Sequence, residues 1–311
     1  MPIVLLTGGT GMIGTHLQNF LLENGYSIIV LIRNEKQRKS SDKNISYAKW
    51  NVEKNEIDKD AIAETDYIIH LAGANVAEKR WTDKRKNEIV ESRTKTGALL
   101  VKSLKEIPNK VKAVISASAI GWYGADTNES RLHGFKEDAP AANNFLGNTC
   151  KLWEENIKPV EQLNKRLAIF RFGIVLSEKG GALDEFKKPL KFGIAGILDD
   201  GKQIISWIHI DDLCRLLLFA IENENISGVY NAVAPQPVTN KELTLTLAKN
   251  MRGKFFIPVH VPAVALKLAL GELSVEVLKS ATISSEKIIK AGFNFLYPSI
   301  NTALESLKKK D

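Results

Sequence analysis

The ten residues Leu6–Thr15, LTGGTGMIGT, follow the apolar run Ile3–Leu6 and open an amphipathic segment carrying Ile13, Leu17, Leu21 and Leu22. Glycines at 8, 11 and 14, between a strand and a helix, suit phosphate binding. Gly8 permits a tight turn, Gly11 lets the backbone approach a pyrophosphate, and Gly14 lets helix and strand pack closely. Free N–H groups at the helix start then face the phosphates. The turn makes Gly8, Gly9, Thr10, Gly11, Met12, Ile13 and Gly14 candidate contacts of a dinucleotide. A second position reads the cofactor type. At the end of the next strand, a carboxylate would bond the ribose 2′-hydroxyl of NAD, whereas arginine accommodates a 2′-phosphate. This chain has Arg33 and Asn34 there, with Lys36 and Arg38 close behind, so NADP(H) is expected over NAD(H).

These residues need a scaffold, and the sequence supplies one. Short apolar runs predict strands at Ile3–Thr7, Ser27–Ile32, Ile45–Trp50, Tyr67–Leu71, Ala113–Ser118 and Ala168–Phe172. Helical patterns predict Met12–Asn24, Ala61–Glu64, Asp83–Leu104, Phe145–Leu163 and Asp212–Glu222. In Asp83–Leu104, Ile89, Val90, Thr94, Gly97, Leu100, Val101 and Leu104 would form the buried face. Such alternation implies an α/β fold, a doubly wound parallel Rossmann sheet with ligands at the carboxyl ends of its strands. After Phe172, glycines break up residues 173–206, and an apolar run, Pro262–Leu270, follows later. The expected division is a Rossmann domain over residues 1–172 plus about 204–236, and a smaller C-terminal substrate or lid lobe over 173–203 and 237–311. Pro262–Leu270 is too apolar to stand in water. It should pack on the first domain or on a second copy, so a homodimer is one expectation.

Composition narrows the function classes. The 311 residues are 44% hydrophobic, enough for a full core, and contain no apolar run of about 18 residues that would span a membrane. A strand beginning at Pro2–Ile3 leaves no room for a targeting peptide. Two cysteines, Cys150 and Cys214, and five scattered histidines give no metal-ligand spacing, so no metal site is expected and a reducing cytoplasm fits. The net charge of +7 is dispersed over Lys36, Arg38, Lys39, Lys79, Arg80, Lys84, Arg85, Lys86 and the Lys308–Lys310 tail. Without interleaved aromatic residues, it is no strong signal for nucleic acid.

Further stretches complete a pattern. His70-Leu71-Ala72-Gly73-Ala74 ends the fourth strand, Ser116–Gly124 ends the fifth, and Ser206–Asp212 precedes a helix. With the opening turn, these resemble extended short-chain dehydrogenase/reductases of the nucleotide-sugar epimerase type. The resemblance is closer to an atypical branch, uncharacterised NAD(P)-dependent epimerase-like proteins with an extra C-terminal domain. Arg80-Trp81-Thr82, Phe145-Leu146 with Cys150 and Trp153-Glu154, Phe170–Gly173, Asn231–Pro235 and Pro262–Pro298 carry it. It implies cofactor contacts from Leu71, Ala72, Gly73 and Ala74. It also implies a serine, matched by Ser118, that bonds the substrate oxygen. Active members add a tyrosine, and a lysine four residues later. Alignment on Glu154 puts Leu146 and Cys150 at those places, and the chain contains no Tyr-x-x-x-Lys. Tyr123 and Cys150 are therefore the candidate replacements, beside Ser118. His70 reads as a structural histidine, and His209 and Asp211 as residues that orient backbone between lobes. Trp122 and Trp207 could wall a pocket or sit in the core.

The expected function is an NADP(H)-dependent oxidoreductase or epimerase acting on a small hydroxyl or carbonyl metabolite that the sequence does not identify. The alternative is a redox-inactive NADP(H)-binding sensor or scaffold, which the missing tyrosine and lysine would suit.

Overall fold

Apolar runs too short for helices and bounded by turn residues form strands buried on both faces. The protein is described here by a computed structural model covering residues 1–38, 40 and 42–308; Lys39, Lys309 and Lys310 of the basic set lie outside the described residues. In chain order the strands are β1 (Ile3–Thr7), β2 (Ser27–Ile32), β3 (Ile45–Asn51), β4 (Glu56–Ile57), β5 (Tyr67–His70), β6 (Ala113–Ala119) and β7 (Arg166–Phe172). They continue with β8 (Ile174–Leu176), β9 (Ile194–Leu198), β10 (Ile204–Ile205), β11 (Trp207–His209), β12 (Gly228–Ala232), β13 (Val238–Thr239) and β14 (Ile257–Val261). The helices are α1 (Met12–Glu23), α2 (Lys59–Glu64), α3 (Asp83–Glu106), α4 (Asn128–His133), α5 (Phe145–Ile157) and α6 (Ala182–Leu190). After them come α7 (Ile210–Glu222), α8 (Asn240–Arg252), α9 (Ala263–Leu270), α10 (Leu273–Leu278), α11 (Glu286–Lys290) and α12 (Ile300–Ser306).

Eight strands form one sheet in the order β12-β7-β6-β5-β1-β2-β3-β4, parallel throughout except for the short antiparallel β4. The order reverses at β1, flanked by β2 and β5, and that switch point is where such sheets bind ligands. One face packs on α1 and α7 through Leu17, Leu21, Leu213 and Leu217, and the other on α3 through Leu99, Leu100 and Leu104. The predicted face of α3 is partly corrected. Thr96, Leu99 and Ser103 are buried, whereas Val90, Thr94 and Val101 are only half-buried. Buried hydroxyls rotate the face, since Thr96 and Ser103 bond the helix's own carbonyls and can enter the core. The predicted helix Phe145–Leu163 is α5 followed by a 3₁₀ turn, Lys158–Leu163, because Pro159 cannot donate an N–H.

A second core lies beyond β7. Leu183, Leu190, Trp207, Leu243, Leu247 and Leu304 bring α6, β11, α8 and α12 together. Part of the C-terminal stretch returns to the sheet, where Ile288 and Phe293 join the first core. His209 and Asp211 tie the pieces. The His209 Nδ1 accepts the Asp211 N–H (3.1 Å), its Nε2 meets Ser306 Oγ (3.0 Å), and Asp211 pairs with His16 of α1 at 2.6 Å. The Asp212 carboxylate accepts the N–H groups of Leu296 and Tyr297. Packing of Pro262–Leu270 on the first domain is confined to its last residue, Leu270, which joins Trp81 and Ile89 in a small cluster. No residue of α9 is buried, and Val264 and Leu268 are 68% and 74% exposed. The helix otherwise leans on α10. No helix among the described residues is long and apolar enough to cross a membrane.

Candidate active site

A cleft of about 1280 Å³ runs along the carboxyl ends of the strands, larger than the roughly 300–1,000 Å³ of ordinary small-molecule pockets. At one end lies the turn between β1 and α1. Gly8 has φ +67°, and a Cβ there would stand 2.7 Å from the Leu71 carbonyl oxygen. At Gly14 a Cβ would meet the Gly8 oxygen at 2.4 Å, so only glycine allows the helix to approach the strand. Gly11 differs. Its φ is −77°, and a Cβ would touch only the Gly8 oxygen, at 3.3 Å, otherwise projecting into open space. Gly11 caps α1 without a side-chain bond, and the first turn holds no acidic residue. The helix start therefore offers backbone donors and partial positive charge to the cleft.

Thr7 fixes the opposite wall. Its hydroxyl accepts the N–H groups of Leu71 and Ala72 (both 3.1 Å) and donates to His70 Nδ1 at 2.8 Å. His70 is fully buried, and burial lowers its pKa to about 4, so it stays neutral and structural. Leu71, Ala72, Gly73 and Ala74 all line the cleft, as do Thr10, Met12 and Ile13; Gly9 instead closes against Val30 beneath the turn. Arg33 lies exposed on the same wall. The neighbouring acid, Glu35, is held by Arg38 (2.5 Å) and Lys49 (2.9 Å). The residues fit an NAD(P)-type dinucleotide: an uncapped helix start for its pyrophosphate, a glycine, Gly11, whose Cβ would project into the cradle, and a guanidinium near the second strand's end.

Ser118 sits at the other end, at the close of β6. Its Oγ donates to Glu154 Oε1 at 2.7 Å. Glu154 is gripped by Arg171, Nε to Oε1 at 2.8 Å and Nη2 to Oε2 at 2.9 Å. A bidentate pair inside a protein is strong and directional, so it fixes Ser118 in turn. Glu154 and Arg171 entered the sequence reading only as motif residues, and their link to Ser118 was missed. The available signal was an arginine inside the apolar strand Leu167–Phe172, since a charge buried there needs a partner.

The two candidate replacements for the missing pair fare differently. Tyr123 is fully buried and does not wall the cleft. Its hydroxyl donates to Asn231 Oδ1 (2.7 Å) and accepts from Arg171 Nη1 (2.9 Å), and its ring stacks on Phe135. Burial raises its pKa to about 12. Cys150 does line the cleft, but its Sγ donates weakly to the Ala119 oxygen at 3.6 Å, and burial raises its pKa to about 12 as well. Neither is tuned for proton transfer near neutral pH. Trp122 and Trp207 do not wall the cleft either. The Trp122 indole carries the Arg171 guanidinium at 3.6 Å, and Trp207 fills the second core. Trp153 of α5 lines the cleft instead. The far side of the cleft comes from Gly181, Phe186, Ile205, Leu273 and Lys279, of the lobe and the C-terminal segment. Among the described residues no cluster of three His, Cys, Asp or Glu could hold a metal.

Comparison with known proteins agrees with this geometry. Residues 4–145 match the NAD dependent epimerase/dehydratase family, and residues 261–307 match a domain of unknown function, DUF1731. An epimerase family protein of Staphylococcus aureus is 37% identical over 310 residues, covering all of both chains. The Bacillus subtilis epimerase family protein YfhF is 34% identical, over 98% of this chain and 97% of its own. Among solved structures, the human epimerase family protein SDR39U1 with NADPH superposes with a TM-score of 0.83 at 26% identity, over 98% of each chain. With its glycine turn, its switch point and its C-terminal segment all accounted for, the chain belongs to the NAD-dependent epimerase/dehydratase family, in the atypical group that carries DUF1731.

Proposed function

We propose that the protein is an NADP(H)-dependent oxidoreductase acting on a small hydroxyl or carbonyl metabolite, without the usual Tyr-x-x-x-Lys pair. One observation carries this reading: a single cleft joins the uncapped start of α1 and Arg33 to Ser118. The start of α1 would hold the pyrophosphate and Arg33 the 2′-phosphate; a similar protein, human SDR39U1, was solved with NADPH. When bound, the nicotinamide supplies or takes a hydride. The chain's own residues do the rest. Ser118, held in place by Glu154 and Arg171, would orient the substrate oxygen by turning its hydroxyl proton from the Glu154 carboxylate to that oxygen. The lobe behind Gly181 and Phe186 limits water around it.

Loss of a positioned general acid removes about 10²–10⁴-fold of rate. Against a median enzyme turnover of about 10 s⁻¹, this chemistry should run at roughly 10⁻³–10⁻¹ s⁻¹. The test is NADPH consumption with a library of aldehydes and ketones. Slow oxidation that Ser118→Ala abolishes supports the reading. Tight NADPH binding with no oxidation by any member would make the protein a redox-inactive binder.

A further inference from the structure

The cleft contains a charge that the reading above leaves unused. Arg93 of α3 is half-buried and lines the cleft between Gly73 and Trp153. Its guanidinium lies over the Trp153 ring at 4.8 Å, one helical turn along α5 from Cys150. On the other side it fills the space that a side chain at position 73 would need: a Cβ on Gly73 would be 3.1 Å from Arg93 Cζ. The group is thus held between a glycine and an indole.

Its bonds are incomplete. Nη1 donates to the Ile89 oxygen at 2.9 Å, and that uses one of five N–H donors. No carboxylate among the described residues pairs with it. Arg33 and Lys79 also line the cleft without a carboxylate partner among the described residues, but both stand exposed to water, whereas the other buried or half-buried cations are paired. Arg85 bridges Glu78 and Glu88, and Lys279 pairs with Glu276. Glu154, at the adjacent turn of α5, is fully engaged by Arg171 and Ser118. Burial lowers the pKa of Arg93 to about 10. A guanidinium that remains charged in a low-dielectric wall without a counter-ion is stabilised by any oxyanion that reaches it.

We infer that Arg93 is the receptor for an oxyanion of the substrate, so that the metabolite is an acid: a carboxylate or phosphate ester bearing the reacting hydroxyl or carbonyl. This rests on the proposed function and narrows its substrate class. The cofactor's phosphates have their own donors at the start of α1 and at Arg33, while Arg93 is grouped with α5, which carries Glu154 and hence Ser118. Guanidinium is planar and forked, matching a carboxylate or phosphate with two parallel bonds. Trp153 and Gly73 keep that fork from rotating away.

The test uses the full chain and two variants, Arg93→Met and Arg93→Lys, each checked for an unchanged melting profile. NADPH is titrated first. Malonate and inorganic phosphate are then titrated separately into the NADPH-bound and free protein, with indole fluorescence as readout. The expected result is saturable binding of at least one anion to wild type. Arg93→Met should weaken it about tenfold or more, Arg93→Lys should weaken it less, and NADPH affinity should stay within about threefold. If Arg93→Met costs NADPH affinity instead, the oxyanion at Arg93 is the cofactor's, and the inference is overturned. It is equally overturned if neither anion binds wild type, or if binding ignores Arg93. Failure of NADPH itself to bind would overturn the proposed function, while titration of the free protein would still report on Arg93.

Discussion

Gly11→Val separates the cofactor's demands from the fold's. At Gly11 the backbone is already in a region open to any residue, with φ −77° and ψ 175°, and a Cβ would touch only the Gly8 oxygen at 3.3 Å. The variant loses a favourable N-cap glycine, which costs about 1 kcal/mol. For a domain of this size the melting temperature should fall by about 2–4 °C. The valine branches would project into the space that the pyrophosphate needs at the helix start, so NADPH affinity should drop by about 100-fold or more, equivalent to roughly 2.7 kcal/mol. Gly14→Val is the control. Its Cβ would lie 2.4 Å from the Gly8 oxygen and 2.5 Å from Gly9 Cα, so the β1–α1 junction itself must open. That variant should lose several kcal/mol of stability, as overpacked cores do. Thermal unfolding without cofactor and calorimetric titration with NADPH read both effects. Gly11→Val that binds NADPH like wild type would show that the turn is not the phosphate site.

Three other outcomes follow from the geometry. Ser118→Ala should lower turnover by about 100-fold, the loss typical of one positioned donor, whereas Cys150→Ser should cost less than about tenfold because the thiol's pKa of about 12 already bars it from acid–base work. The reverse ranking would move the chemistry to Cys150. His70, with a folded pKa near 4 against an ordinary 6.5, binds fewer protons in the folded chain between those values. Its contribution is therefore complete above about pH 6.5 and is lost as the pH falls toward 4, by about 3 kcal/mol overall; His70→Gln should flatten that limb of a denaturation series, and an unchanged slope would contradict it. Gly181 stands against Met12 at the start of α1, with 3.0 Å from its would-be Cβ to the Met12 sulfur. NADPH should accordingly slow hydrogen exchange across residues 180–201, and equal rates with and without cofactor would refute a closing lobe.

The parts of the molecule governed by local rules were legible in the sequence. Apolar runs bounded by turns located β1, β2 and the cores of β3, β5, β6 and β7 to within two residues, and the glycine spacing located the β1–α1 turn that lines one end of the cleft. What depends on partners distant in the chain was not. Glu154 and Arg171 meet across 17 residues, and Tyr123 reaches Asn231 across 108, so neither the support of Ser118 nor the removal of Tyr123 from the cleft is written in a local pattern. The edge strand β12, Gly228–Ala232, lies outside the strands read from the sequence because glycine and asparagine interrupt its apolar run. The α9 segment looked like core from composition alone, yet hydrophobicity does not specify a neighbour: α10 and the Trp81 cluster take only part of it, and Val264 and Leu268 stay exposed.

Cofactor choice tests the central claim most directly, through calorimetric titration of NADPH and NADH into wild type and Arg33→Glu. Arg33 is exposed, lines the cleft and has no carboxylate partner among the described residues. One charge-assisted contact to a 2′-phosphate, worth about 1.5–3 kcal/mol, should make NADPH bind about 10–100-fold more tightly than NADH. Arg33→Glu should erase or invert that preference while NADH still binds. Equal affinities in wild type, or a preference for NADPH that survives Arg33→Glu, would contradict it.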